Sequence, residues 1–187
     1  MSGGTEHEFK LRPIADGDSF TSMKCGGEQY NLLKVFARQK AKKYESENLS
    51  RTYVIQDLTN KRIAAYVTLV CSEVRSKGDA DDLIPDADYN YPHYPAVKIA
   101  RLLVDERYRS RSENSLGKFN LGPTLVDFSL GIARNEICPA VGCRFVVLDA
   151  KRDSVGFYER RGFTMLDSAN NKASENPVMF IDLHKAT

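Results

Sequence analysis

The chain opens on an alternation. "EFKLRPI" switches between polar and apolar positions, the period of a short strand with one covered face. After Asp16–Gly17–Asp18, "SFTSMKCGG" has no period and reads as a loop. In "EQYNLLKVFARQKAKKYESEN" the spacing becomes helical, with Leu33, Phe36, Ala37, Ala41 and Tyr44 on one face. Lys34, Arg38 and Lys42 recur every fourth residue on another face, so one amphipathic helix with a basic stripe is predicted. "RTYVIQDL" and "RIAAYVTLVCSEV" are β-rich runs, and Thr59–Asn60–Lys61 between them signals a hairpin.

The second half alternates strands with helices. Residues 77–94 form an acidic loop bearing Pro and Tyr, followed by an apolar strand at about 97–104. A long polar loop leads into a helix at about 123–136. "CRFVVLDA" is a continuous apolar run, as expected of a strand covered on both faces. "DSVGFYERRGF" reads as a short helix, capped by Asp153 or Ser154 and stopped by Gly162. "FTML" and "NPVMFIDL" are closing strands around a polar turn, Ser168–Glu175. This order predicts a mixed α/β domain whose first half is largely antiparallel and whose second half is built from βαβ units. One domain over residues 1–187 is expected, with residues 1–7 as a disordered tail.

Composition narrows the picture only a little. The net charge is +2, so a basic surface would have to come from local clustering. There is no long apolar run to span a membrane and no apolar stretch near the start to act as a signal peptide, so no membrane role is expected. Cys25, Cys71, Cys138 and Cys143 are scattered, with no CxxC pair and only three histidines in the chain. Reduced thiols in a cytoplasmic protein are therefore expected, and no metal site.

The chemistry concentrates in "VDERYRSRSENSLGKFNLGPTLVDF", which joins the strand at about 97–104 to the helix after it. A basic, Gly-containing strand-to-helix loop gathers backbone N–H groups and the positive helix end at one point, which suits a diphosphate. One strand–helix unit later, "GFYERRGF" holds a Phe–Tyr pair ahead of a stopping Gly–Phe.

On these residues the chain resembles the Gcn5-related N-acetyltransferase superfamily, and within it the acetyltransferase toxins of bacterial toxin–antitoxin pairs. The resemblance is carried by "NLLKVFARQKAKKYESENLSRTYVI", "YPAVKIARLLVDERYR", "LGPTLVDFSLGIA" and "LDAKRDSVGFYERRGF", in family order over roughly residues 8–183. It implies a mixed sheet of six to seven strands flanked by helices, and acetyl-CoA as acetyl donor. It implies cofactor contacts from Leu103, Val104, Arg109, Ser110, Arg111, Gly117, Leu121, Gly122, Pro123 and Thr124. The family loop runs Gln/Arg-x-x-Gly-x-Gly/Ala. Arg109 fits its first position and Gly122 its last, but they stand thirteen residues apart, so about eight residues within "SRSENSLGKFN" are inserted. Tyr158 matches the family tyrosine that returns a proton to the departing thiolate. A phenol suits that step because its reference pKa, about 10, lies above that of a thiol, about 8.5.

In the resembled toxins the acceptor is the aminoacyl group of a charged tRNA. That implies RNA contacts from Lys34, Arg38, Arg101 and Arg107, an antitoxin protein as partner, and a homodimer. Tyr89, Tyr91 and Tyr94 either line the acceptor cleft or cover the sheet. No histidine stands out as a base; Asp105 and Glu106 are the alternatives, and a base is dispensable for an α-amine. Two other readings stay open: acetylation of a small amine or a protein N-terminus, and a non-enzymatic binding module whose cofactor loop is spoiled by the insertion.

Overall fold

The computed structural model describes residues 7–75, 93–109, 116 and 119–185. Its strands are β1 (Phe9–Pro13), β2 (Arg51–Asp57), β3 (Arg62–Arg75), β4 (His93–Val104), β5 (Phe145–Asp149), β6 (Thr164–Met165) and β7 (Val178–Asp182). They form one seven-stranded sheet in the order β1-β2-β3-β4-β5-β7-β6. β1 pairs antiparallel with β2, β4 parallel with β5, and β7 antiparallel with both β5 and β6. The mixed α/β expectation holds. The last strand, however, inserts between β5 and β6, so the second half is not a simple parallel succession.

The chain divides into two compact units: Met1–Thr68 with Arg101–Leu125, and Leu69–Ala100 with Val126–Thr187. In the first unit, α1 (Asn31–Gln39) and α2 (Ala41–Ser46) replace the single helix read from the sequence. The break is at Lys40, whose φ of −122° leaves the helical region, although its N–H still bonds the Phe36 carbonyl at 2.8 Å. Phe36, Ala37 and Ala41 bury their side chains with Phe20, Met23, Val54, Ile63, Tyr66 and Leu103. Each large apolar side chain in such a cluster contributes about 1.5–3 kcal/mol by leaving water. The β2–β3 hairpin is present as read, with Lys61 at φ +51° in its turn and Asp57 accepting the Asn60 N–H at 3.0 Å.

In the second unit, β5 is buried along most of its length, as its apolar run requires. Phe145, Val147, Leu166 and Phe180 pack with Val74, Tyr94 and Ala96. Helix α3 (Leu121–Ile132), which starts in the first unit, continues as a π-turn over Ala133–Ile137 and then as α4 (Cys138–Val141). α5 (Val155–Glu159) follows β5, and Gly162 at φ +85° ends the turn after it, where a side chain would be strained. The polar turn expected at Ser168–Glu175 contains a further helix, α6 (Ala169–Ala173), whose N-cap Ser168 accepts the Asn171 N–H at 3.1 Å.

Candidate active site

At the end of β4 in the first unit, Leu103 is core and Val104 is half-buried. Asp105 then caps a 3-10 turn over Glu106–Tyr108. Its carboxylate is fully buried and accepts from the Lys24 N–H at 3.0 Å, the Arg107 N–H at 3.0 Å and Arg107 Nε at 2.9 Å. Arg107 Nη2 also donates to the Ser22 carbonyl at 2.8 Å. Arg107, suggested by the sequence as a substrate contact, and Asp105, suggested as an alternative base, are paired with each other. A guanidinium this engaged holds the 22–24 segment to the strand end.

Arg109 is engaged in a similar way. Its Nε donates to the Val104 carbonyl and its Nη2 to the Cys25 carbonyl, both at 2.8 Å, and its N–H donates to the Glu106 carbonyl at 3.1 Å. The guanidinium also lies 4.9 Å from the Tyr30 ring centroid. Gly26, at φ +73°, leaves room for it: a Cβ there would sit 3.0 Å from Arg109 Nη1. Arg109 therefore shapes the turn from within.

Tyr108 and Phe119, on either side of the inserted segment, touch each other, with ring centroids 5.7 Å apart. Tyr108 is fully buried and its hydroxyl donates to Asp57 Oδ2 at 2.6 Å. Asp57 also accepts from Asn60 Nδ2 at 2.7 Å and pairs with His7 Nδ1 at 2.9 Å. Burial alone would raise the Asp57 carboxyl, but the bonds from Asn60, Tyr108 and His7 outweigh it and hold it well below the usual carboxylate range. Burial and the Asp57 carboxylate push the Tyr108 phenol up. His7, placed by the sequence in a tail, stacks on Phe9 and meets Tyr108 and Phe119 edge-on. None of this was read from the sequence. The signal present was that aromatic residues bracket the insertion.

After Phe119, Asn120 caps α3: the Thr124 N–H donates to the Asn120 carbonyl at 2.9 Å, and the Thr124 hydroxyl does so at 2.8 Å. The Leu121 and Gly122 N–H groups precede that first helical bond, and Pro123 has none to lose. No acidic residue stands in the first turn. The amides of Leu121 and Gly122 thus stand ahead of the first intrahelical bond, at the positive end of the helix. Ser110, Arg111 and Gly117 lie outside the described residues, as do Tyr89 and Tyr91.

Arg101, on β4 in the same unit, stacks its guanidinium on the Phe36 ring at 3.7 Å. Among the described residues no carboxylate pairs with it. Lys34 and Arg38 of α1 likewise have no acidic partner among the described residues, whereas Lys42 donates to the Asp16 carbonyl and Lys43 pairs with Glu47 at 3.8 Å. Only the first two members of the predicted basic stripe remain available.

In the second unit, the parallel register of β4 and β5 runs Ala96↔Phe145, Val97↔Val146, Lys98↔Val147 and ends there, while β4 continues to Val104. Lys98 Nζ meets Asp149 at 2.6 Å near the end of that register. Tyr158, on α5, is nearly buried between Phe157 and Phe163, with ring centroids 4.9 and 5.8 Å away. Tyr94 packs edge-on against Phe145 and covers the sheet.

Among the described residues no group of His, Cys, Asp and Glu could hold a metal ion, and no helix is long and apolar enough to cross a membrane. No protein-family model matches the sequence, and no curated protein matches it significantly. Solved structures do match by fold. A tyrosine-to-phenylalanine variant of KacT aligns with a TM-score of 0.76 at 20% identity, over 94% of this chain and 95% of that one. AtaT complexed with acetyl-methionyl-tRNAfMet aligns with a TM-score of 0.74 at 20% identity, over 95% and 96%. An AtaT tyrosine-to-phenylalanine variant bound to acetyl-CoA and the C-terminus of the antitoxin AtaR aligns with a TM-score of 0.68 at 20% identity, over 94% of each chain. The chain has the fold of these proteins, the Gcn5-related N-acetyltransferase fold.

Proposed function

We propose that this protein is an acetyl-CoA-dependent N-acetyltransferase that acetylates the aminoacyl group of a charged tRNA and so blocks translation. The observation that carries the reading is the β4–turn–α3 unit, in which the Leu121 and Gly122 N–H groups stand ahead of the first helical bond, at the positive helix end. That donor set suits the diphosphate of acetyl-CoA. The fold likeness to AtaT, solved with acetyl-CoA and with an acetylated aminoacyl-tRNA, supports both donor and acceptor.

Acetyl-CoA supplies an activated thioester carbonyl. The acceptor amine attacks that carbonyl, the C–S bond breaks, and Tyr158 gives its phenolic proton to the leaving thiolate. The amine proton passes to solvent. An α-amine, with a reference pKa near 8, is partly neutral at pH 7 and needs little help; a lysine, near 10.4, would need a base. Asp105 is tied to Arg107, and this reading gives it no part as a base. Arg101, Lys34 and Arg38 hold phosphates of the acceptor RNA. An antitoxin partner fits the same reading, since AtaT is known bound to AtaR.

Titration with acetyl-CoA tests the donor. Saturation at about a hundred times Kd should add about 2.7 kcal/mol of stability. No shift at millimolar acetyl-CoA would leave a binding module. Transfer of labelled acetyl to charged tRNA, with growth arrest on induced expression, tests the acceptor. Transfer to a small amine or a peptide N-terminus without arrest would replace the tRNA reading.

A further inference from the structure

An insertion in a cofactor loop should spread the groups that the loop brings together. Here the chain leaves and returns at one place. Tyr108 precedes Arg109 and Phe119 precedes Asn120, and their rings are in contact at 5.7 Å. Phe119 also sits 5.1 Å from both His7 and Phe9, and Phe9 lies 5.9 Å from Tyr108. A further tie crosses below them, where the Leu116 N–H donates to the Arg107 carbonyl at 2.7 Å. The four rings form one closed cluster, and its polar end is fixed by the Tyr108 hydroxyl on the buried Asp57 carboxylate.

We propose that this neck is the positioning device of the diphosphate site. Tyr108 and Phe119, held by His7, Phe9 and Asp57, set where α3 begins and hence where the Leu121 and Gly122 amides point. Phe119 and Tyr108 are positioning residues that act through the helix start and need not touch the ligand. The inference rests on the acetyl-CoA reading above. Aromatic pairs of this geometry contribute about 0.5–1.5 kcal/mol each beyond the area they bury, enough to hold a loop end in one place.

The test compares two acetyl donors. Acetyl-CoA carries the diphosphate; S-acetyl-N-acetylcysteamine carries the thioester without it. Phe119→Ala should weaken CoA binding and raise KM for acetyl-CoA by about tenfold or more, since small misplacements of a site have large effects. The kcat at saturating acetyl-CoA, and kcat/KM with the truncated donor, should stay close to wild type. Phe119→Leu, which keeps apolar bulk, should recover most of the affinity. If Phe119→Ala does not fold, Tyr108→Phe decides: it keeps the ring, removes the bond to Asp57, and should raise KM for acetyl-CoA alone. An unchanged KM in the folded variant overturns the proposal, as does an equal loss with both donors. Failure of the wild-type protein to bind CoA at all would instead overturn the acetyl-CoA reading, and the neck's role with it.

Discussion

The guanidinium of Arg107 lies on the carboxylate of Asp105, with Nε 2.9 Å from Oδ1, and the carboxylate has no exposed surface. Two residues that a sequence would assign to RNA binding and to catalysis thus neutralise each other. Arg107→Ala leaves a buried charge without its main partner, a loss of about 3 kcal/mol. In a chain of this size that lowers Tm by about 6–12 °C. Calorimetry of Arg107→Ala against wild type checks it. A Tm within a degree or two, with weaker tRNA binding, would restore Arg107 as a phosphate contact.

Lys34 and Arg38 belong to the other class. Neither has an acidic partner among the described residues, and both stand on α1. Contacts to phosphate release counterions, so their removal shows in the salt dependence of binding. The double variant Lys34→Ala/Arg38→Ala should bind tRNA more weakly at every salt concentration. Its slope of log K against log salt should be shallower by about 1–2. Filter binding across a salt series measures this, and parallel lines for variant and wild type would return both residues to an ordinary solvated face.

Asp57 predicts a pH dependence. Its carboxyl is held below the usual range in the folded chain, so folding favours the ionised form. The stability this contributes is fully present above the unfolded value, about 3.9, and is lost as pH falls towards the folded one. Asp57→Asn keeps the shape but weakens the bonds from Tyr108 and His7, and should cost about 1–3 kcal/mol near neutral pH. The gap between variant and wild type should narrow in acid. Urea melts at pH 7 and at about pH 3 give both numbers, and a gap that widens in acid contradicts the assignment.

How far the sequence carries follows from what each residue depends on. β5 was legible because burial on both faces makes "FVVLD" continuously apolar. The β2–β3 turn was legible from local turn chemistry at Asn60 and Lys61. Lys40, where the first helix breaks, is a good helix former and carries no mark of the break. The placement of β7 between β5 and β6 depends on pairing between distant segments, which local patterns do not encode. α6 was missed although Ser168 stands at its N-cap, because "ANNKA" lacks an apolar face. For the site, the strand–loop–helix order was legible, but the internal bonds of Arg107 and Arg109 were not. Whether a loop arginine faces solvent or the backbone carbonyls of Ser22 and Cys25 depends on a segment more than eighty residues away.

Tyr158 carries the sharpest prediction. It is nearly buried on α5 against Phe157 and Phe163, so Tyr158→Phe removes one hydroxyl with almost no change in packing volume. The fold and the affinity for acetyl-CoA should survive. What should be lost is proton transfer to the departing thiolate. A positioned general acid contributes about 10²–10⁴-fold in rate, or roughly 3–5 kcal/mol of barrier. The loss should appear in kcat more than in KM, because the hydroxyl acts as charge builds on sulfur. A CoA thiolate is a fair leaving group and water is a competing donor, which places the expected effect towards the lower end of that range. Steady-state turnover with charged tRNA, alongside acetyl-CoA affinity measured by calorimetry, separates the two quantities. A kcat within about threefold of wild type, well below the range expected for general acid catalysis, would refute the proton-donor role and leave Tyr158 as a packing residue.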